Sequence, residues 1–547
     1  MFVQDFVESY SRLVCLVGLT LILFISYKVV SAALRSYNSP WRDIPGPRRL
    51  GWFKGAYEES PEHESSRLQE QWLQQYGHID KIMTSDTKAL SHILSQGSIY
   101  QKSPELRFIL GELLGTGLLF VEGAKHKQQR RIMNPAFGPI QVRKFTETFI
   151  GKAIEMRDIW LAKAAETTRK DGRLKLDAFN WLNRVTLDII GLAGFNYEFD
   201  ALNSTEDHPN ELSEAVRKMF SFRNLDPVFM LQIVFPPARI IPTARSREAA
   251  RCLRTIRRVG MQMIAEKKAE VLAAASNVGK DGAVERKDIQ GHDLLSLLIK
   301  SNMAVDQAES SRMSDDDILS QVPTFLVAGH ETTSTGVSWT LFALAMQPAA
   351  QATLRAELSV VPTDTPTMDE LNALPYLEGV LRESLRLYAP VTATERVAMQ
   401  DDVIPLSKPF VDKAGVVRHE ISVPKGSTIM VPIQHMHRME ELWGEDADEF
   451  KPERWASIPD SARTIPNVWG NMLTFLAGAH ACIGYRFSVV EMKALIFTIV
   501  RAFEIELAVT PDDIVKRTRV VARPGIGSNP SAGSTLPVLL RPVATAK

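Results

Sequence analysis

The chain is poor in cysteine: its 547 residues contain three, Cys15, Cys252 and Cys482, which lie far apart. This spacing gives no disulfide framework and fits a reducing compartment. Net charge is also lacking, because 64 Lys and Arg residues balance 64 Asp and Glu residues. The sequence therefore gives no reason to expect a nucleic-acid partner. It contains neither a phosphate-cradling glycine loop nor a flavin-binding segment, so the sequence offers no nucleotide or flavin site of its own.

A long apolar stretch lies near the amino terminus. It runs from Leu13 to Leu34 and is broken only by Lys28, which lies near one end and can reach the lipid headgroups. A cleaved signal peptide is the alternative, but its apolar region would be shorter. We therefore predict that residues 1–36 form an uncleaved membrane anchor. More basic residues follow the stretch than precede it, which by the positive-inside rule leaves the rest of the chain in the cytosol.

The next segment, residues 37–50, contains Pro40, Pro45 and Pro47 and is predicted to be a stiff hinge. Residues 51–547 follow. Their length alone would suggest several domains. We predict one domain instead, because the motifs below come from widely separated segments and must meet at one site.

The strongest chemical signal is the stretch FLAGAHACIG, which ends at Gly484. The spacing of Phe475, Gly478, Cys482 and Gly484 suits a loop that holds a haem through one thiolate, with Cys482 as the iron ligand. Gly478 would let the backbone turn beneath the ring, and Phe475 would shield the sulfur. Gly484 would open a helix with no side chain against the macrocycle. A buried structural cysteine is the alternative.

A second signal is the basic stretch GAKHKQQRRIM. His126 and Arg130 are four residues apart, so a helix would place them on one face, from which both could reach haem propionates. A solvated basic face is the alternative reading. Lys125, Lys127 and Arg131 would form a basic surface in either case.

A third signal lies in a long apolar helix, predicted to open at Ser314 and to run past Leu344. The polar stretch AGHETT interrupts it, and the Thr332 hydroxyl can bond to the Ala328 carbonyl, bend the helix and open a groove. His330 has no second histidine at metal-binding spacing and is predicted to be packed or hydrogen-bonded. A buried Ser/Thr-rich helix without a catalytic role is the alternative.

These stretches resemble motifs of the cytochrome P-450 superfamily: the first its haem-binding loop, the second its propionate-binding helix and the third its oxygen-activating motif. The resemblance covers nearly the whole chain after the hinge. It implies the cytochrome P-450 fold, mainly α with a minor β-sheet region, here preceded by one transmembrane helix. It also implies haem b, O2 as oxidant and a proton relay through Glu331 and Thr332. One departure is Leu476, where the family usually has Gly.

The same resemblance assigns further residues. His480 and Arg396 match positions that contact haem propionates. Glu383, Arg386 and Arg454 match the Glu/Arg/Arg network of the family, which is structural. His435 and His437 form an HxH pair without clustered cysteines or carboxylates, and we predict a structural role for them.

The resemblance also implies an NADPH-dependent diflavin reductase as electron donor, whose acidic face would meet the basic surface, and an endoplasmic reticulum location. Predicted substrate contacts are largely apolar: Phe108, Ile109, Leu118, Phe120, Phe325, Ala328, Val391 and Ala393. A charged substrate would leave an unpaired buried charge in such a pocket. We therefore expect a lipophilic substrate.

A terpenoid-like skeleton in secondary metabolism is the leading expectation for that substrate, because the motifs most resemble fungal members. Fatty acids, which would need a basic anchor near the pocket mouth, and aromatic xenobiotics are alternatives. A reductase-independent isomerase or dehydratase and a non-catalytic haem binder are rival functions. The presence of the acid/threonine pair argues against the first of these.

Overall fold

The computed structural model describes residues 81–169, 171–204, 210–220, 227–277, 293–303, 312–518 and 520–543, with nine single positions between 19 and 41. The predicted anchor and hinge, and the boundaries after residues 36 and 50, lie almost wholly outside these ranges. Within the part of the chain that is described, no helix combines the length and hydrophobicity that a membrane span needs.

Helices dominate the fold, as predicted. The amino-terminal half contains α1 (Thr87–Ser95), α2 (Pro104–Leu114), α3 (Gly123–Met133), α4 (Pro139–Ala165), α5 (Ala178–Phe195), α6 (Glu211–Phe220), α7 (Pro227–Val234), α8 (Ala244–Asn277) and α9 (Leu294–Met303). The remainder contains α10 (Asp315–Leu319), α11 (Gln321–Met346), α12 (Pro348–Ser359), α13 (Met368–Asn372), α14 (Pro375–Leu387), α15 (Ile433–Met436), α16 (Glu440–Trp443), α17 (Asp460–Arg463) and α18 (Tyr485–Ala502).

Within the described ranges, four small sheets flank the helices. The strands are β1 (Lys81–Met83), β2 (Tyr100–Gln101), β3 (Leu174–Asp177), β4 (Thr394–Ala398), β5 (Asp402–Val411), β6 (Val417–Val423), β7 (Thr428–Val431), β8 (Phe503–Leu507), β9 (Ile514–Thr518), β10 (Ala522–Ile526) and β11 (Pro537–Pro542). The strand orders are β1-β7-β4-β2, β3-β11-β8, β9-β10 and β5-β6. Two of these sheets pair strands from distant parts of the chain, so the described residues between 81 and 543 fold around shared elements.

Helix α11 lies at the centre of the core. It packs against α5 on one side and α18 on another, and α18 also packs against α4. The approach of α11 to α18 is close at Gly336, where an added Cβ would lie 2.9 Å from the Met492 sulfur. The helix that begins just after Cys482 is thereby held against the helix that carries Thr332.

The long helix predicted from Ser314 is divided into two. Ser314 caps α10 through a capping box with Asp317, and α11 begins only at Gln321. Pro323 explains the break, because proline has no N–H to donate to the carbonyl four residues earlier. The predicted start and end of the helical region are correct, and the assumption of one continuous helix is wrong.

Candidate active site

Cys482 lies in a loop between two 3-10 turns and α18. The turns span Leu473–Phe475 and Gly478–His480. The Cys482 backbone N–H donates to the Phe475 carbonyl over 2.8 Å, which closes the loop on itself. Arg130 of α3 donates to the Ala481 carbonyl. The predicted propionate-binding helix is therefore attached to the loop directly beside the cysteine.

Two residues give this loop its sharp turns. Leu476 has φ 55° and ψ −165°, a backbone conformation that is essentially restricted to glycine. The family's usual glycine at this position is thus explained, and Leu476 keeps the turn at the cost of strain. Gly478 has φ 68°, and an added Cβ would lie 1.9 Å from the Leu94 carbonyl oxygen of α1. Any larger residue at Gly478 would force α1 away from the loop.

Cys482 is exposed to solvent on one side, and protein atoms crowd around the remainder of its thiol. Burial raises its pKa, while the Gly484 backbone N–H and the Arg130 guanidinium act in the opposite direction. A thiol with one open side and a backbone N–H donor, that of Gly484 at the start of α18, suits ligation of a metal at the open side.

A cluster of basic residues lies beside the loop. The His480 and His126 rings stack with their centroids 4.4 Å apart. His480 contacts Glu122 over 2.7 Å, and Lys102 contacts the same carboxylate over 2.5 Å. Burial alone would raise the pKa of Glu122, but its bonds to His480 and Lys102 lower it to about 2. Arg396 is buried nearby on β4.

A haem with two propionates fits this cluster. Lys102, Arg130 and Arg396 carry three positive charges around the two histidines, against the two carboxyl groups of Glu122 and Glu395, and buried cations need anionic partners. Burial and the neighbouring His480 and Lys102 lower the pKa of His126 to about 4, so its ring is neutral here. Cys482 would hold the iron, and the two histidines and three cations surround the space for the carboxylate groups.

The acid/threonine pair lies on α11. The Thr332 hydroxyl donates to the Ala328 carbonyl over 2.8 Å, as expected, although the helix remains unbroken at this point. Glu331 is buried and forms an ion pair with Arg523 of β10 over 2.5 Å. His330 is buried, and its Nδ1 lies 2.7 Å from the Leu326 carbonyl, as predicted for a packed residue. Sequence reasoning identified no partner for Glu331, because Arg523 lies almost 200 residues downstream.

The three residues of the Glu/Arg/Arg network meet in the core. Arg386 donates to both oxygens of Glu383 over 2.7 and 2.8 Å, and Arg454 reaches the same carboxylate over 3.3 Å. Arg386 also donates to the His437 carbonyl over 2.8 Å. The His437 Nε2 in turn accepts the Leu473 backbone N–H over 2.8 Å. One chain of contacts thus runs from the network to the haem loop, and it gives His437 the structural role predicted for the HxH pair.

The predicted pocket residues are not all alike. Phe325 packs in the core against Phe137 and Phe195. Phe108 of α2 stacks on Phe229 of α7, and Arg239 lies 4.1 Å from the Phe108 ring centre. Two arginines lie over predicted pocket residues, Arg239 over Phe108 and Arg107 over Phe120. Arg245 lies over Phe229, and Arg523 pairs with Glu331.

The thiol loop, the basic cluster and the acid/threonine helix together define the site of a haem-thiolate protein. Comparisons agree. The sequence model of the family described as cytochrome P-450 matches residues 58–528. The chain is 49% identical to cytochrome P-450 monooxygenase 205 of Postia placenta, covering 96% of this chain and 98% of that protein. It is 46% identical to monooxygenase 128 of the same fungus, covering 96% and 97%.

A more distant relative is the cytochrome P-450 monooxygenase claW of Ampulloclitocybe clavipes, 31% identical over 93% of this chain and 94% of the relative. The chain belongs to the cytochrome P-450 family and is a monooxygenase of that family. Membership implies a haem with a thiolate ligand, O2 and electrons from a redox partner.

The strain at Leu476 gives a prediction. Leu476→Gly and Leu476→Ala both remove the side chain, but only glycine relieves a conformation that costs about 1–3 kcal/mol. The greater unfolded-state freedom of glycine offsets about 0.5–1 kcal/mol of this. We expect the Gly variant to be more stable than the Ala variant by about 1 kcal/mol in denaturant unfolding of the haem-loaded protein. Equal or greater stability of the Ala variant would show that the turn is not strained.

His437 gives a pH prediction. Burial lowers its pKa to about 3, mainly because the charged ring would lose solvation, whereas the unfolded chain has an ordinary value near ~6.5. Between these two pKa values only the unfolded state takes up the proton. The contribution of His437 to the free energy of unfolding is therefore complete above about pH 6.5 and is lost as the pH falls. His437→Gln keeps an acceptor for Leu473 but cannot titrate.

Unfolding free energies measured from pH 8 down to pH 5 should therefore fall more steeply for wild type than for His437→Gln. The largest difference in slope is about 1.4 kcal/mol per pH unit. His126 and His435 have lowered pKa values for the same reason and add their own slope in both proteins. Parallel curves would contradict a neutral buried His437.

Proposed function

We propose that this enzyme hydroxylates or epoxidises a lipophilic small molecule, using O2 and electrons from an NADPH-dependent diflavin reductase. The observation that carries the proposal is the pair formed by buried Glu331 and half-buried Thr332 on α11, the helix packed against the one that follows Cys482. An isomerase or dehydratase has no need of such a pair. Family membership supports the oxygenase chemistry.

In this mechanism Cys482 would bind the iron of haem b through its thiolate, and His126, Arg130, Arg396 and His480 would hold its propionates. When bound, the thiolate-ligated iron supplies O2 activation. The protein itself delivers protons and keeps uncompensated charge out of the substrate site. The Thr332 hydroxyl has the Ala328 carbonyl as acceptor, which leaves its oxygen lone pairs available to receive a proton. Arg523 neutralises the adjacent Glu331, so the pair adds no net charge to the site.

The substrate is proposed to be a neutral, terpenoid-like hydrocarbon skeleton of secondary metabolism. On its inner face α2 offers Ile109, Leu110, Leu113 and Leu114, which cluster with Val327 of α11. Each buried CH₂ of a substrate contributes about 0.8 kcal/mol to binding in such surroundings. The fungal relatives named above are monooxygenases, and their names specify no substrate.

An amphiphilic acid, such as a fatty acid, is the second candidate. Arg239 lies over Phe108 and Arg245 over Phe229, at 4.1 and 4.0 Å from the ring centres. Both guanidinium groups influence the pKa of Glu112, which burial raises. A helix is about 10 Å wide, so this outer face of α2 is about that far from the α11 side. A fatty acid whose carboxylate is held there would extend its chain towards α11, so that a carbon far from the carboxylate would be oxidised.

The enzyme is proposed to be anchored in the endoplasmic reticulum membrane through residues 1–36, with its catalytic domain in the cytosol. Phe24 of the apolar amino-terminal segment packs against Phe235 with ring centres 4.6 Å apart. Leu231, Ile240 and Ile241 are exposed around Phe235. This apolar surface and the amino-terminal segment would enter the same bilayer.

The reductase is proposed to dock on the outer face of α3. That helix buries His126 and Gln129, while Lys127 and Arg131 are exposed on its opposite side and Lys125 is exposed on the side of Gln129. Lys125 is engaged with Asp317 of α10 over 2.5 Å. Lys127 and Arg131 are therefore better placed to attract an acidic partner.

Replacing the relay hydroxyl tests the chemistry. Thr332→Ala should keep haem and substrate binding but lower product per NADPH several-fold and raise peroxide, because proton delivery rather than ligation is disturbed. Thr340→Ala is the matched control, since Thr340 makes the same bond to the carbonyl four residues earlier, over 2.9 Å. It should leave coupling unchanged. Unaltered coupling in Thr332→Ala would remove that residue from the mechanism.

Ligand titrations test the substrate class. Spin-state shifts should be largest with neutral terpenoids, and Arg239→Gln with Arg245→Gln should not change their affinity. If a fatty acid binds instead, the double variant should weaken it about fivefold, as expected for about 1 kcal/mol from a half-exposed ion pair. Tight binding of small polar acids alone would overturn both candidates.

Charge reversal tests the docking face. Lys127→Glu with Arg131→Glu should raise the apparent KM for reductase about tenfold at low salt and less at high salt, because exposed charges are screened. Turnover at saturating reductase should not change. Lys175→Glu is the control: this exposed residue of β3 lies at the far end of α18, whose 18 residues span about 27 Å. Equal effects of the two changes would place the docking face elsewhere.

A further inference from the structure

Glu491 is a buried acid that the chemistry above does not use. It is the only acidic residue of α18, lies nine residues after Cys482 and is fully excluded from solvent. Neither carboxyl oxygen has a hydrogen-bond partner within the described chain. An ionised carboxylate in that position would be costly, because neither water nor a cation would compensate its lost solvation.

Two hydroxyl groups lie beside this acid. Ser488 precedes Glu491 by three residues on the same face of α18, and its Oγ lies 2.9 Å from the Thr333 Oγ1 of α11. Thr333 is close enough to Glu491 to influence its pKa, without a hydrogen bond of standard geometry to it. The acid and the two hydroxyls thus form a polar cluster between the two helices that carry Cys482 and Thr332.

No charge stabilises an ionised Glu491. Lys493, two residues on, is paired with Glu378 over 2.7 Å. Charged side chains on the other elements packed against α18 are likewise engaged: Arg143 with Asp369, Arg355 with the Val500 carbonyl, Glu383 with Arg386, and Glu331 of α11 with Arg523. None of them affects Glu491, whose pKa burial raises well above its usual range against the effect of Thr333 alone.

We propose that Glu491 is held as a neutral carboxylic acid beside the Thr333–Ser488 hydroxyl pair, with its single O–H directed at the Thr333 hydroxyl, and that it thereby fixes α18 against α11 beside Thr332. Glu491 is then a positioning residue. It acts through the helix that continues from the thiolate loop and through the neighbour of the relay threonine. The inference rests on family membership and on this packing, and it does not depend on the proposed substrate or reductase.

Infrared difference spectra of the haem-loaded protein test the protonation state. At neutral pH, wild type minus Glu491→Gln should show the loss of one carbonyl stretch of a protonated carboxyl group. Asp188 and Glu112, whose pKa values burial also raises, are present in both proteins and cancel. Thr333→Val should shift the same band, because it removes the partner and leaves the acid. If no such band is lost in Glu491→Gln, Glu491 is ionised and the proposal is overturned.

Comparison of two substitutions tests the positioning role. Glutamine keeps the shape and a donor, so Glu491→Gln should retain the thiolate-type spectrum of the reduced carbon monoxide complex. Glu491→Leu removes both polar atoms, and the rate at which it loses that spectrum during incubation should be at least several-fold higher than the rate for Glu491→Gln. Equal behaviour of the two variants would show that only volume matters and would reject the proposal. Should Glu491→Gln fail to take up haem, the band shift between wild type and Thr333→Val decides the question.

Discussion

The site depends on one fully buried ion pair, Glu383 with Arg386. Both are excluded from solvent, so the guanidinium must find an acceptor for each donor. It uses both oxygens of Glu383 and the carbonyls of three residues from the following segment: His437, Ala447 and Glu449. This requirement fixes a long irregular stretch onto α14. Through the His437 ring it also fixes Leu473, where the haem loop begins. The irregular haem loop is thereby held against the helical core, to which its Leu473 and Phe475 side chains belong.

That support explains how the loop tolerates unfavourable geometry. Leu476 adopts a glycine-like conformation, and Gly478 approaches the backbone of α1 too closely for any side chain. A loop free at both ends would relax from such a shape. Here the His437 contact holds one end, and α18, packed against α4 and α11, holds the other. The packing of the surrounding core therefore offsets the backbone strain next to Cys482 and keeps the thiol at the open side of the loop.

Charge around the site is balanced in two different ways. On the Cys482 side, the three cations Lys102, Arg130 and Arg396 outnumber the carboxyl groups of Glu122 and Glu395, an imbalance that propionates would correct. On the α11 side, Glu331 is neutralised by Arg523, and no cation among the described residues acts on Glu491. A positive rim and a neutral interior favour an anionic cofactor edge together with an uncharged substrate. The two arginines stacked on Phe108 and Phe229 are the main exception, and they lie on the outer face of α2.

Sequence alone determined the features that depend on local pattern. The Cys482 loop, the α3 helix with His126 and Arg130, the mainly helical fold and the capped helical region from Ser314 all follow from spacing and from the resemblance that the motifs carry. Tertiary structure decided what distant segments do to one another. Arg523 reaches Glu331, His437 receives Leu473, and Glu122 joins Lys102 to His480, although no periodicity links these positions. Glu491 is the clearest case. In sequence it is an ordinary helical glutamate, and only the packing of α18 against α11 removes the water that would have kept it charged.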